Sequence, residues 1–212
     1  MIDINAAPAR LPRVLRGFEG IKRYWDKSEG VVVAKILPGE FYVTREEEMI
    51  TTVLGSCISA CIRDSIAGVG GMNHFMLPIS KDADLSAMDL GTAARYGNYA
   101  MEHLINEILK NGGRRRNLEA KLFGGGRVLS HMTDVGKRNI EFALRYLETE
   151  GIPLVSSDLG DRFPRKVQYY PADGRARMKK LRSQHNRTIS RREESYMHEI
   201  EQQPVAGDIE LF

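Results

Sequence analysis

Residues 51–78 read TTVLGSCISACIRDSIAGVGGMNHFMLP. Two runs of small and β-branched residues flank the turn-forming DSIAG, so the segment reads as two strands joined by a short loop. A four-residue loop, Asp64 to Ala67, would set Arg63 opposite Gly68, Ser59 opposite Met72 and Cys57 opposite His74. Directly opposed residues of an antiparallel pair share a face, with Cβ atoms about 4.5–5.5 Å apart. A thiol and an imidazole can meet across that gap. A slip of one residue would turn one of them to the other face.

That pairing has a chemical use. The thiolate is the nucleophile, yet a free thiol is mostly protonated at neutral pH. A neighbouring histidine can take the proton, hold a thiolate–imidazolium pair, and return the proton to a departing amine. Its second ring nitrogen needs an orienting partner, and Thr51 or Thr52 on the preceding strand offers a hydroxyl. Gly55 and Ser56 allow a tight turn whose N–H groups would stabilise an oxyanion. Gly70 and Gly71 leave the opposing strand bare, which would admit a substrate chain. Cys61 has no histidine opposite it and reads as a small buried hydrophobe, the commonest state of a free cysteine.

Outward from this segment, residues 31–44 (VVVAKILPGEFYVT) read as two strands about a Pro38-Gly39 turn, and Met49–Leu54 as another. Helical spacing of apolar residues marks 93–112 and 134–150. Short strands are expected at Glu119–Phe123, Pro153–Ser156, Lys166–Tyr170 and from Arg175. Strand runs interrupted by two helices favour an α+β layered domain. Residues 1–30 read as a loosely ordered N-terminal extension, 31–183 as the catalytic domain, and 184–212 as a charged C-terminal tail.

The chain has 212 residues, 42% of them hydrophobic and 28% charged, with net charge +3. These are values of a soluble globular protein, and the charge is too slight to suggest nucleic acid as a partner. Two cysteines make neither a disulfide framework nor a metal set. No apolar run suits a signal peptide or a membrane span, so cytoplasmic localisation and no direct membrane insertion are expected. The FGGGR run at 123–127 lacks the spacing and the Lys-Ser/Thr of a phosphate-binding loop; its glycines, Gly125 among them, are better suited to lining a substrate cleft, with Arg127 near the rim. The basic clusters at 114–116 and 175–182 read first as solvated surface, with steering of acidic helices as the functional alternative, and the terminal GDIELF reads as a disordered end, with a short docking peptide as its alternative.

In TVLGSCISACIRD, GGMNHFMLP, KLFGGG and GKRN, the sequence resembles the chemoreceptor glutamine deamidases of the CheD family. The GSC motif with a histidine seventeen residues on carries the resemblance, which spans roughly residues 31–182. It implies a Cys-His-Thr triad falling on Cys57, His74 and Thr51, with Thr52 adjacent to the last. Gly55, Ser56, Gly71, Asn73 and Gly125 are the expected substrate-binding or oxyanion positions. It also implies a β-sandwich-like core with flanking helices, similar to the catalytic domain of the cytotoxic necrotizing factor toxins. The implied substrates are glutamines on the cytoplasmic helices of methyl-accepting chemotaxis receptors, hydrolysed to glutamate through a thioester. No metal or organic cofactor is expected, and a CheC-type phosphatase is an implied partner. The rival reading is an adaptor that binds receptors or that phosphatase with little catalysis.

Overall fold

The computed structural model describes residues 10–78, 87–128, 135–182 and 186–202. The GDIELF segment lies outside them. In chain order the elements are β1 (Lys22–Asp26), β2 (Val31–Lys35), β3 (Phe41–Thr44), β4 (Glu48–Leu54), β5 (Ile58–Asp64), β6 (Gly70–Asn73) and α1 (Ala87–Lys110). They continue with a 3₁₀ turn, then β7 (Leu118–Gly124), α2 (Val135–Thr149), β8 (Leu154–Leu159), β9 (Arg165–Tyr170), β10 (Arg175–Lys180) and α3 (Asn186–Gln202). The strands form two five-stranded sheets, ordered β1-β2-β4-β9-β10 and β3-β6-β5-β7-β8. Helices α1 and α2 pack on the second sheet, giving the expected α+β sandwich-like layering. No helix among the described residues is long and apolar enough to cross a membrane.

The face that each strand turns inward follows from its period of two. On β4, Ile50 and Leu54 join Ile58, Ile62 and Leu122 of the other sheet in one continuous core, while Met49 packs with Val33 and Tyr170 on the opposite face. Thr52 therefore shares the inner face with Ile50 and Leu54, and Thr51 shares the outer face with Met49. The β2–β3 segment is not a hairpin as its Pro38-Gly39 turn suggests. Strand β2 pairs in parallel with β4, whereas β3 pairs with β6 in the second sheet.

Two boundaries differ from expectation. Residue 31 is no domain edge, because β1 pairs antiparallel with β2, Lys22 to Lys35 through Asp26 to Val31. Phe18 is buried in the main core, and Arg23 forms an ion pair with the buried Glu48, which also accepts a 2.6 Å bond from the Tyr42 hydroxyl. The charged C-terminal segment likewise contributes to the fold. Ile189, Tyr196, Met197 and Ile200 of α3 are buried in the same core.

The β5–β6 register is also corrected. Arg63 faces Gly70, Ile62 faces Gly71 and Cys61 faces Met72, and the same register continues to a bridge between Ile58 and Phe75. Asp64 belongs to the ladder rather than the loop: its N–H donates to Val69 O at 2.9 Å. Its carboxylate meanwhile accepts from the N–H groups of Ile66 and Ala67, so Ser65–Gly68 make the turn. The slip is two residues, an even number, so faces are preserved and Cys57 becomes a diagonal neighbour of His74 instead of its direct opposite.

Candidate active site

The chain crosses from the first sheet to the second between β4 and β5, and the crossing is Gly55-Ser56-Cys57. Its three carbonyls are held on one side. Gly125 N–H donates to Cys57 O at 2.8 Å and Gly126 N–H to Gly55 O at 2.7 Å. The Asn139 amide, from α2, donates to Ser56 O at 2.8 Å. With the carbonyls fixed, the three N–H groups turn together to the other side and form a nest for negative charge. In this structure they meet the carboxylate of Glu193 on α3. Gly55 N–H and Ser56 N–H donate to it at 2.7 Å each, Cys57 N–H at 3.2 Å, and the Ser56 hydroxyl at 2.6 Å.

The glycine run after β7 makes this cradle possible. A Cβ on Gly124 would lie 2.2 Å from Cys57 O, and one on Gly125 would strike Ile140 and Gly136 O. Gly125 thus positions the nucleophile loop by its backbone rather than lining an open cleft. Arg127 is exposed beyond it. The bareness expected at Gly70 and Gly71 is taken up by the protein itself. Substituents there would meet Arg63 and Ile62 O, or Tyr42 O and Leu104 of α1, so neither glycine admits a substrate chain.

His74 follows β6. Its Nδ1 lies 2.8 Å from the Thr52 hydroxyl, and that hydroxyl lies 2.9 Å from Ile36 O. A hydroxyl has one proton, and the carbonyl can only accept it, so Thr52 donates to Ile36 O and His74 Nδ1–H donates to Thr52. Nε2 then carries the free lone pair, and it has no hydrogen-bond partner among the described residues. Thr51, the position implied by the resemblance, points away: its hydroxyl donates to Val167 O at 2.8 Å. The threonine that meets His74 is Thr52. Asn73 has a scaffold role, accepting from Ala60 N–H at 2.8 Å and donating to Ala100 O of α1 at 3.0 Å.

A Cys57 sulfur, a His74 ring nitrogen and a Glu193 oxygen all lie within 4.8 Å of one another, and all three residues are buried. Burial, followed by the Glu193 carboxylate, pushes the Cys57 thiol well above its ordinary value. Burial, aided by the positive charge of Arg192, holds His74 down at about 3. The pair is therefore neutral thiol and neutral imidazole as it stands, not the thiolate–imidazolium pair expected. The three ligand atoms are close enough to meet one thiophilic cation. Both Glu193 oxygens already accept hydrogen bonds, however, so an ion would have to displace the helix contact. A cavity of about 160 Å³ flanks His74, with Phe41, Tyr96, Tyr99 and His103 in its wall.

Glu193 and Asn139 are the site residues that sequence reasoning missed. Glu193 sits in a stretch read as a charged tail. Its only signal is an acid at the centre of the apolar spacing Ile189, Tyr196, Met197, Ile200.

A family model described as CheD chemotactic sensory transduction matches residues 76–180. The chain is 61% identical over 205 residues to the probable chemoreceptor glutamine deamidase CheD of Halorhodospira halophila, covering 95% of this chain and 94% of that protein. It is 52% identical over 213 residues to the protein of the same description in Hahella chejuensis, covering all of both. A third such protein, from Saccharophagus degradans, is 50% identical over 212 residues, with 98% and 97% covered. Whereas the family model begins after His74, these alignments extend over the nucleophile loop and α3 alike, and on them the chain belongs to the CheD family.

Proposed function

We propose that this chain is a chemoreceptor glutamine deamidase, a hydrolase that converts glutamine side chains on receptor helices to glutamate. The observation that carries the reading is the convergence on one point of the Cys57 sulfur, a histidine with a free Nε2, and three loop N–H groups. The substrate carboxamide oxygen would enter the nest formed by residues 55–57. Nε2 takes the thiol proton as Sγ attacks the amide carbon, and the nest holds the developing oxyanion. The proton then passes to the leaving nitrogen, ammonia departs and a thioester remains. Water, deprotonated by the same nitrogen, cleaves the thioester and leaves glutamate.

Thr52 keeps the ring in the tautomer this sequence needs. Gly124, Gly125 and Asn139 act one step back, by fixing the loop. The setting is the cytoplasm, where the receptor helices lie. A CheC-type phosphatase is a proposed partner. Arg177 and Lys180, counted as part of a basic face for receptors, already pair with Glu29 and Asp161 at 2.8 Å, so that cluster offers less free charge than its composition suggests.

Mass spectrometry of a receptor cytoplasmic fragment tests the reading. Each deamidation adds about one dalton, the difference between an amide and an acid. The gain should appear with the wild-type chain and vanish with Cys57→Ala. Binding without any gain in either case would sink the deamidase reading in favour of an adaptor.

A further inference from the structure

We infer that α3 is an internal product mimic: Glu193 occupies the place of the receptor side chain after deamidation, and receptor helices enter by displacing α3. The inference rests on the deamidase reading, and it names the mode of substrate docking and the resting state of the site.

The product of the reaction is a glutamate carboxylate on a helix, and Glu193 is a glutamate carboxylate on a helix. It accepts from every N–H of the 55–57 nest and from the Ser56 hydroxyl. Its carboxylate lies within 4.8 Å of both the sulfur and the histidine nitrogen. The same three N–H groups cannot serve an incoming carboxamide while Glu193 holds them, so a direct catalytic role for Glu193 in oxyanion formation is excluded by geometry. The glutamate interrupts an otherwise apolar stripe formed by Ile189, Tyr196, Met197 and Ile200, and it is 2% exposed.

The helix is seated as a ligand is seated. Its opposite face, including Arg191, Arg192, Glu194, Ser195 and Glu199, is exposed. Tyr196 lies against Gly39, where an added Cβ would come to 3.0 Å from its ring, and its hydroxyl bonds to that of Tyr96 on α1. At the other end of the contact the Ser190 hydroxyl reaches Val128 O at 3.3 Å. A Cβ on Gly55 would lie 2.4 Å from Val128 Cγ2 and 2.7 Å from the Glu193 carboxylate, so the helix acid and Val128 together close over this glycine. The groove between the nucleophile loop and α1 therefore fits an amphipathic helix carrying one amide or acid at the centre of its apolar face. A receptor helix presenting glutamine has that chemistry.

The experiment is done on the full chain. With Glu193→Gln the mimic becomes a substrate. Cys57 attacks the introduced side-chain amide, ammonia leaves, and water cleaves the thioester to restore glutamate. The peptide containing residue 193 should gain about one dalton, and should remain glutamine when Cys57→Ala is combined with it. Glu193→Ala should deamidate a receptor fragment faster than wild type, on the order of tenfold if the closed state dominates at rest. It should also label faster at Cys57 with iodoacetamide. If wild type modifies the receptor while the glutamine of Glu193→Gln stays intact and Glu193→Ala is no faster, the mimic is refuted and the deamidase reading stands. If neither the receptor nor the introduced glutamine is ever modified, the deamidase reading falls and the inference falls with it.

Discussion

The Thr52 hydroxyl stands 2.8 Å from Nδ1 of His74, and because its own proton is committed to Ile36 O, it fixes which ring nitrogen is free. Thr52→Val removes the acceptor and lets the ring rotate or change tautomer. A loss of roughly 10- to 100-fold in kcat is expected, within the range that general-base catalysis supplies. Thr51→Val removes only the bond to Val167 O on the outer face. It should leave kcat near wild type and cost about 1 kcal/mol of stability. Equal kinetic damage from both substitutions would contradict the assignment.

His74 makes folding sensitive to acid. Burial, with Arg192 nearby, lowers its folded value to about 3 from an ordinary 6.5. Below pH 6.5 the unfolded chain binds a proton that the folded chain refuses, so stability is full above 6.5 and declines as pH falls toward 3. The slope is about 1.4 kcal/mol per pH unit. Denaturant titrations at about pH 6.5 and about pH 5 should show wild type losing roughly 2 kcal/mol more than His74→Asn. Groups common to the two proteins cancel to first order in the comparison.

Gly124 separates steric from conformational cost. It has φ +117, and an added Cβ would meet Cys57 O at 2.2 Å, whereas Gly68 has φ +65 with open space around it. Gly68→Ala should cost about 1 kcal/mol through backbone strain and spare activity. Gly124→Ala must also push the nucleophile loop, so it should cost upwards of about 2 kcal/mol and depress kcat. Thermal melts and receptor assays on the two variants check both halves.

The layered α+β architecture is legible from the strand and helix spacing, and the Cys57–His74 proximity survives because the register differs from expectation by two residues, an even slip that keeps faces. The two-residue slip was not legible, since Asp64 reads as a turn residue and is instead the last ladder residue. Parity could not choose between Thr51 and Thr52, because β4 is apolar on both faces: Ile50 and Leu54 on one, Met49 and Val53 on the other. Gly70 and Gly71 show the opposite failure. An absent side chain reads as space in a sequence, but in the fold Arg63, Tyr42 and Leu104 fill it. Glu193 was hidden for a physical reason as well. Three of its partners are backbone N–H groups 136 to 138 residues earlier, which leave no pattern in side-chain chemistry, and the fourth is the Ser56 hydroxyl.

Asn139 is a side-chain tether of the nucleophile loop, and its two bonds can be cut separately. Its carbonyl accepts from Leu77 N–H at 2.9 Å, and its amide donates to Ser56 O at 2.8 Å, in a fully buried position. Asn139→Ala loses both and leaves two buried backbone groups unpaired, at a cost of roughly 2–4 kcal/mol. Asn139→Asp keeps an acceptor for Leu77 but sets an oxygen against Ser56 O where a donor stood. If the tether positions the nest, Asn139→Asp should lower kcat at least as much as Asn139→Ala in protein that remains folded, while KM moves little. The comparison is made by steady-state kinetics on a receptor fragment, beside denaturant midpoints of the same samples. Full activity in folded Asn139→Asp would show that Gly125 and Gly126 alone hold the loop.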